Sequence, residues 1–277
     1  MIAHLRIAMV AVLLTAMTLV LWPLQHVAIA RGWPIARKLP HLWHRVACRV
    51  IGIRVHVEGT PSPHRPLLIA ANHQSWADIT VLGKVMPLSF IAKAEVRDWP
   101  AFGLLAKLQR TVFVEREARG RTGEQANMIA ERLSAGDAMV LFAEGTTSDG
   151  NEVLPFKTAL FGAAQMALKA SEAEAVMVQP VAVTYTHAHG LPLGRFFRPL
   201  AAWPGDVELA PHLLAFLKEG AVDATVAFGE PVLFSGASNR KAVARESEES
   251  VRRMLAHGLR GRSPASGPRR GADSGAI

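Results

Sequence analysis

The chain has 277 residues, half of them hydrophobic, a single cysteine, and a formal net charge of +8 from 31 Lys and Arg against 23 Asp and Glu. That length can bury a substantial core and fits one domain with appendages. Lone Cys48 excludes an intrachain disulfide, and one Tyr, without basic–aromatic interleaving or zinc-like Cys/His spacing, argues against nucleic acid; the positive balance points to an anionic membrane or an acidic carrier.

In chain order, the first element is an apolar helix. From Ile7 to Ala30 there is no Asp, Glu, Lys or Arg, and eighteen helical residues rise about 27 Å, close to the hydrocarbon thickness of a bilayer. The rival reading is a cleaved signal peptide ending at Ala28-Ile29-Ala30, although such apolar cores usually run only about 7–15 residues. Arg6 alone precedes the span, whereas Arg31, Arg37, Lys38, Arg45 and Arg49 follow it. The positive-inside rule then keeps the bulk of the protein on the cytoplasmic side of the inner (plasma) membrane. "WPIARKLPHLWHRVACRVIGI" (33–53) mixes Trp, Leu and Arg as an interfacial helix does.

Beyond the anchor, strand and helix patterns alternate. "IRVHVEG", "PLLIAAN", "LSFIAK", "TVFVER", "AMVLFAEG", "VMVQPVAVTY" and "ATVAFGEPV" read as strands. Helical patterns fall on Ile79–Met86, Trp99–Leu108, "TGEQANMIAERLSAG", about Lys157 to Ala170, and Asn239–His257. Pro180 inside "VMVQPVAVTY" predicts an edge strand or a bulge. The expected fold class is α/β, a mixed sheet flanked by helices, with an N-terminal hydrophobic membrane-anchoring helix. The expected organisation is an anchor and interfacial segment over 1–39, the α/β domain over 40–258, and a disordered basic tail over 259–277.

Two stretches carry chemistry. In "NHQSWAD" (72–78) a histidine ends an apolar strand and a carboxylate follows five residues later. On a continuous helix the two side chains would point about 140° apart, so His73 and Asp78 meet only if His73 lies in the entry and Asp78 in the first turn. Ser75 with Asp78 is also a plain capping box. As a dyad, the imidazole would take a proton from an attacking alcohol while the carboxylate fixes its tautomer. The second stretch, "VLFAEGTTSDGN" (140–151), sets Glu144, Gly145, Thr146 and Thr147 directly after a strand, where free N–H groups could wrap a polar headgroup or an oxyanion; its composition equally suits an ordinary turn. Lys157 follows at a helix start, open to an anionic group. His187 and His189 have a spacing that could hold metal, but no carboxylate cluster accompanies them.

Together these stretches resemble the glycerolipid acyltransferase family typified by 1-acylglycerol-3-phosphate acyltransferases. Four blocks match in order over roughly residues 65–185: Asn72-His73 to Asp78, Phe113-Val114-Glu115-Arg116, Phe142-Ala143-Glu144-Gly145-Thr146-Thr147-Ser148, and Val178-Gln179-Pro180-Val181. The resemblance implies His73 as general base supported by Asp78. It implies acceptor binding around Asn72, Arg116, Glu144, Gly145, Thr146, Thr147, Lys157 and Pro180. It also implies a lysolipid acceptor in a membrane, an acyl donor that is either acyl-CoA or acyl carrier protein, and no metal or cofactor. Thr147 stands where phosphate-handling members carry Arg, and Ala143 where they carry Pro. Thr cannot replace a bidentate guanidinium, so the stretch looks closer to the branch that includes bacterial lyso-ornithine lipid acyltransferases; Arg116 and Lys157 remain, which leaves 1-acylglycerol-3-phosphate as the other acceptor the resemblance implies. A non-catalytic lipid-binding protein, or a secreted hydrolase if the N-terminus is cleaved, are the readings from other classes.

Overall fold

In the computed structural model, which describes residues 2–114, 122–169 and 175–261, the apolar runs become strands and the periodic segments become helices. The centre of the sheet is built from strands β2 (Leu67–Ala71), β3 (Ser89–Lys93), β4 (Val112–Val114), β5 (Ala138–Phe142) and β6 (Ala175–Ala188), all parallel to their neighbours in the order β6-β2-β5-β3-β4. Beyond β6, β8 (Val222–Phe228) pairs antiparallel, and β1 (Ile53–Glu58) pairs parallel to β8. Two short strands, β7 (Leu191–Pro192) and β9 (Val232–Ser235), also pair antiparallel with β6. The result is the mixed sheet expected from the sequence.

Both faces of the sheet are covered, which is why "LLIAA" is continuously apolar rather than alternating. Leu67, Ile69 and Ala71 of β2 face one core, shared with α2 (Ile35–Ile51), α3 (Ala77–Val85) and α7 (Leu209–Glu219). Leu68 and Ala70 face a second core, under α5 (Thr122–Ser134), α6 (Thr158–Lys169) and α8 (Arg240–Leu259). A short helix α4 (Phe102–Leu108) follows a 3-10 turn over Ala94–Asp98. Gly83 lets α3 lie close on α2, since a Cβ there would come within 2.3 Å of the His44 ring.

The N-terminal apolar helix α1 (Ile2–Ala30) runs antiparallel to α2. Near its start Arg6 Nη2 donates to the Ile51 carbonyl at the end of α2 (2.6 Å). Midway, Trp43 Nε1 donates to Thr18 Oγ1 (2.9 Å). Near its end Gln25 Nε2 donates to the carbonyls of Ala36 (3.0 Å) and Leu108 (2.6 Å). The remaining face is exposed and apolar, including Val12, Leu13, Leu19 and Val20, and α1 is long and apolar enough to cross a membrane. The expected boundary at residue 39 falls inside α2, which buries Ala36 and Leu39 on the same face as Ala47, Cys48 and Ile51. Most of the expected basic tail lies outside the described residues.

Pro180 does not mark an edge. It sits in β6 between β2 and the β8–β9 side, paired with Ala70 of β2. Its carbonyl accepts from Gly229 N (2.9 Å), so its nitrogen points the same way, towards the gap between β9, which pairs through Val178, and β8, which begins at Val181. The missing N–H therefore interrupts no ladder. The register shift in β6 falls later, between Tyr185 and His187.

Candidate active site

The carboxyl ends of β2 and β5 lie side by side, the usual place for a site in an open α/β sheet. After β2 the chain runs through Asn72-His73-Gln74 without helical structure and enters α3 at Ala77. That entry brings His73 and Asp78 together: Nδ1 and Oδ2 are 2.8 Å apart. The same Oδ2 accepts from the backbone N–H of Gln74 (2.8 Å) and Ser75 (2.9 Å), and Oδ1 accepts from the phenol of Tyr185 (2.9 Å). Asp78 is thus an acceptor in all four bonds, so the shared proton belongs to Nδ1 and the lone pair of the neutral ring to Nε2. Nε2 has no protein partner among the described residues. The His73 side chain keeps 18% of its exposure while that of Asp78 keeps none.

The ring and the backbone of His73 are both fixed. The ring stacks on Phe142 at the end of β5 (centroids 3.8 Å, planes 14° apart), and Phe142 stacks in turn on Phe90. The His73 N–H donates to Glu144 Oε1 (2.7 Å), and the His73 carbonyl accepts from Ser148 N (2.8 Å). The other Glu144 oxygen accepts from Leu154 N (2.8 Å). Glu144 is fully buried, and burial pushes its carboxyl up to about 8 against the downward pull of those two N–H groups.

Other expected acceptor residues fall in different surroundings. Asn72 is buried and makes a two-way bond with the backbone of Val183 on β6 (3.0 and 2.8 Å), extending the sheet by a side chain. Gly145 turns the loop at φ 77°. Thr146 is exposed, Thr147 is buried, and Lys157 is exposed just before α6. Pro180 is buried within the sheet, level with Ala70. Arg116 lies outside the described residues.

Tyr185 was not singled out by the sequence. It is fully buried, and burial, with Asp78 beside it, raises its phenol well above the usual range, so it stays protonated and donates. The available signal was the period-two alternation Val181, Val183, Tyr185, which aims all three at the core that holds α3. His187 and His189 bond instead to Thr186 Oγ1 and Glu219 Oε2, and among the described residues no three potential metal ligands cluster. Cys48 is buried, its thiol pushed up to about 12 by desolvation, and packs beside the Thr80 carbonyl.

The acyltransferase family model matches residues 53–184, which span both stretches of the site. A lyso-ornithine lipid O-acyltransferase of Brucella abortus is 54% identical, over 95% of this chain and 98% of that protein. The chain belongs to the acyltransferase family. A 1-acyl-sn-glycerol-3-phosphate acyltransferase of Neisseria gonorrhoeae is 35% identical to this acyltransferase over 74% of the chain and 75% of its own length. The crystal structure of the 1-acyl-sn-glycerophosphate acyltransferase PlsC from Thermotoga maritima is similar in fold, with a TM-score of 0.56 at 25% identity, covering 91% of this acyltransferase and 97% of that chain.

Proposed function

We propose that this acyltransferase esterifies the free hydroxyl of a lyso-ornithine lipid, with acyl-CoA or acyl carrier protein as donor, at the cytoplasmic face of the inner membrane. The observation that carries the reading is the His73–Asp78 pair at 2.8 Å with Nε2 unpartnered among the described residues. In this mechanism Nε2 takes the hydroxyl proton as the lipid oxygen attacks the thioester carbonyl. Asp78 holds the ring and balances the imidazolium that forms. The tetrahedral intermediate then collapses to the ester, the carbon–sulfur bond breaks, and the departing thiolate takes the proton back from Nε2. The route needs no metal or prosthetic group. His73 and Asp78 act chemically; Asn72 and Glu144 act by positioning, because their polar atoms are taken up by backbone groups.

The acceptor assignment rests on Thr147 in place of a phosphate-binding Arg and on the name of the Brucella relative. Membrane association is supported by the exposed apolar face of α1, and the bonds that Arg6 and Gln25 donate and Thr18 accepts support its retention as part of the fold. The test offers purified enzyme a labelled acyl thioester with lyso-ornithine lipid, lysophosphatidic acid or a neutral lysolipid. The expected product is the ornithine lipid, with turnover of lysophosphatidic acid at least tenfold slower. A preference for lysophosphatidic acid would overturn the acceptor assignment alone. In His73→Ala the rate is expected to fall by about 10²–10⁴-fold with the fold retained, and wild-type turnover there would end the dyad mechanism.

A further inference from the structure

At the opposite end of the sheet, the amino ends of β2, β3 and β5 close on a second cleft, about 170 Å³ in volume, lined among others by Arg37, Arg65, Arg110, Arg132, Asp137 and Ser89. Five strand residues at about 3.3 Å each separate it from the dyad, so it is not part of the acyl-transfer site.

Among the described residues its charges do not balance. The buried carboxylate of Asp137 serves three arginines: Arg37 Nε at 2.8 Å, Arg132 Nε at 2.6 Å and Arg110 Nη2 at 3.5 Å. Arg65 donates only to the carbonyls of Ser62 and His64, and no carboxylate pairs with it among the described residues. Burial lowers Arg110 and Arg132 in spite of Asp137, and lowers Arg65 with no acid to oppose it. Ser89, at the start of β3, is 3% exposed and its hydroxyl has no partner. An ion-pair latch between α2, α5 and the sheet needs one or two arginines on Asp137. Four, with an unpaired hydroxyl beside them, leave donors over.

We propose that this cleft binds a phosphate-bearing anion. A phosphate supplies several acceptor oxygens and up to two negative charges in one compact group, which suits planar guanidiniums and a hydroxyl together. A second carboxylate would repeat what Asp137 already does. Arg37 lies on α2, which packs along apolar α1, so a phospholipid headgroup can reach the cleft from the membrane side; free phosphate is the other source of the same chemistry.

Binding to the native state raises the unfolding midpoint with ligand concentration, so the test follows thermal unfolding of the full chain in a neutral detergent. Inorganic phosphate is titrated against chloride at equal ionic strength, and phosphatidylglycerol is added to the micelles in a second arm. A concentration-dependent rise in one or both arms is expected. A rise with inorganic phosphate identifies a small-anion site, and a rise with the lipid alone identifies a headgroup site; either supports the proposal. Arg65→Gln and Ser89→Ala are expected to weaken the apparent affinity about tenfold or more, whereas Arg245→Gln, an exposed charge on α8, should leave it unchanged. Ser89→Ala removes only an unpartnered hydroxyl, so it decides the matter even if Arg65→Gln does not fold. Absence of any rise beyond chloride, or responses in Arg65→Gln and Ser89→Ala equal to that of Arg245→Gln, would overturn the proposal.

Discussion

At position 78 one carboxylate meets four donors: an imidazole, a phenol and two backbone N–H groups. Oδ2 holds the entry to α3 through the N–H groups of Gln74 and Ser75 while it bonds the His73 ring, and Oδ1 is held by Tyr185 from across the core. The pair was legible in the sequence because His73 and Asp78 are five residues apart and a local turn joins them. Tyr185 was not, because its contact with Asp78 spans 107 residues and depends on which strand lies beside β2. If Tyr185 positions the acid, Tyr185→Phe should lower kcat about tenfold with KM little changed, and cost about 1–3 kcal/mol of stability for the buried oxygen left short of a donor. Steady-state kinetics alongside denaturant unfolding separates the two effects. Loss of stability without loss of kcat would show that the backbone N–H groups of Gln74 and Ser75 suffice to hold Asp78.

At the level of elements, the loop after β5 serves as a brace for the loop after β2. Its residue types were readable as a Gly-rich turn, but not the burial of Glu144, since whether a carboxylate faces a ligand or a neighbouring backbone depends on how two strand ends are packed. Pro180 illustrates the same limit: a proline in a strand excludes an N–H on one side only, and the sequence does not say which neighbour that side meets. The buried brace has a pH signature. The Glu144 carboxyl titrates near 8 in the fold against 4.5 unfolded, so the native state holds the proton more tightly. Its stabilising contribution is full below about 4.5 and is lost as pH rises through about 8. Urea unfolding at pH 5 and pH 8 should show wild-type stability falling more steeply with pH than that of Glu144→Gln, other titrating groups being common to both. Glu144→Gln should also be weaker at pH 5, because an amide has one carbonyl oxygen for two N–H groups. Equal pH slopes would mean that Glu144 is ionised throughout.

On the scale of the whole molecule, α1 combines an exposed apolar side with a side that is a piece of the fold. Its apolar run was plain in the sequence, whereas its docking was not, because the partners of Arg6 and Gln25 are the carbonyls of residues as distant as Glu219 and Leu108. A helix bonded to the domain at both ends leaves its outer side exposed, where Leu19 and Val20 are 58% and 73% exposed. Under the proposed function, a bilayer on that side would share one frame with the dyad, and a lysolipid would need to rise only partly out of the membrane to meet His73. Replacing both Leu19 and Val20 by Glu tests this without touching α1's buried side. Each charge taken into hydrocarbon costs about 2.5–3.5 kcal/mol on insertion scales, so the pair should lower membrane partitioning by roughly three orders of magnitude or more. The variant is expected in the soluble fraction after ultracentrifugation, active on detergent-dispersed acceptor and depleted in activity on vesicle-borne acceptor. Continued sedimentation with membranes would mean that the exposed face of α1 is not what holds the enzyme there.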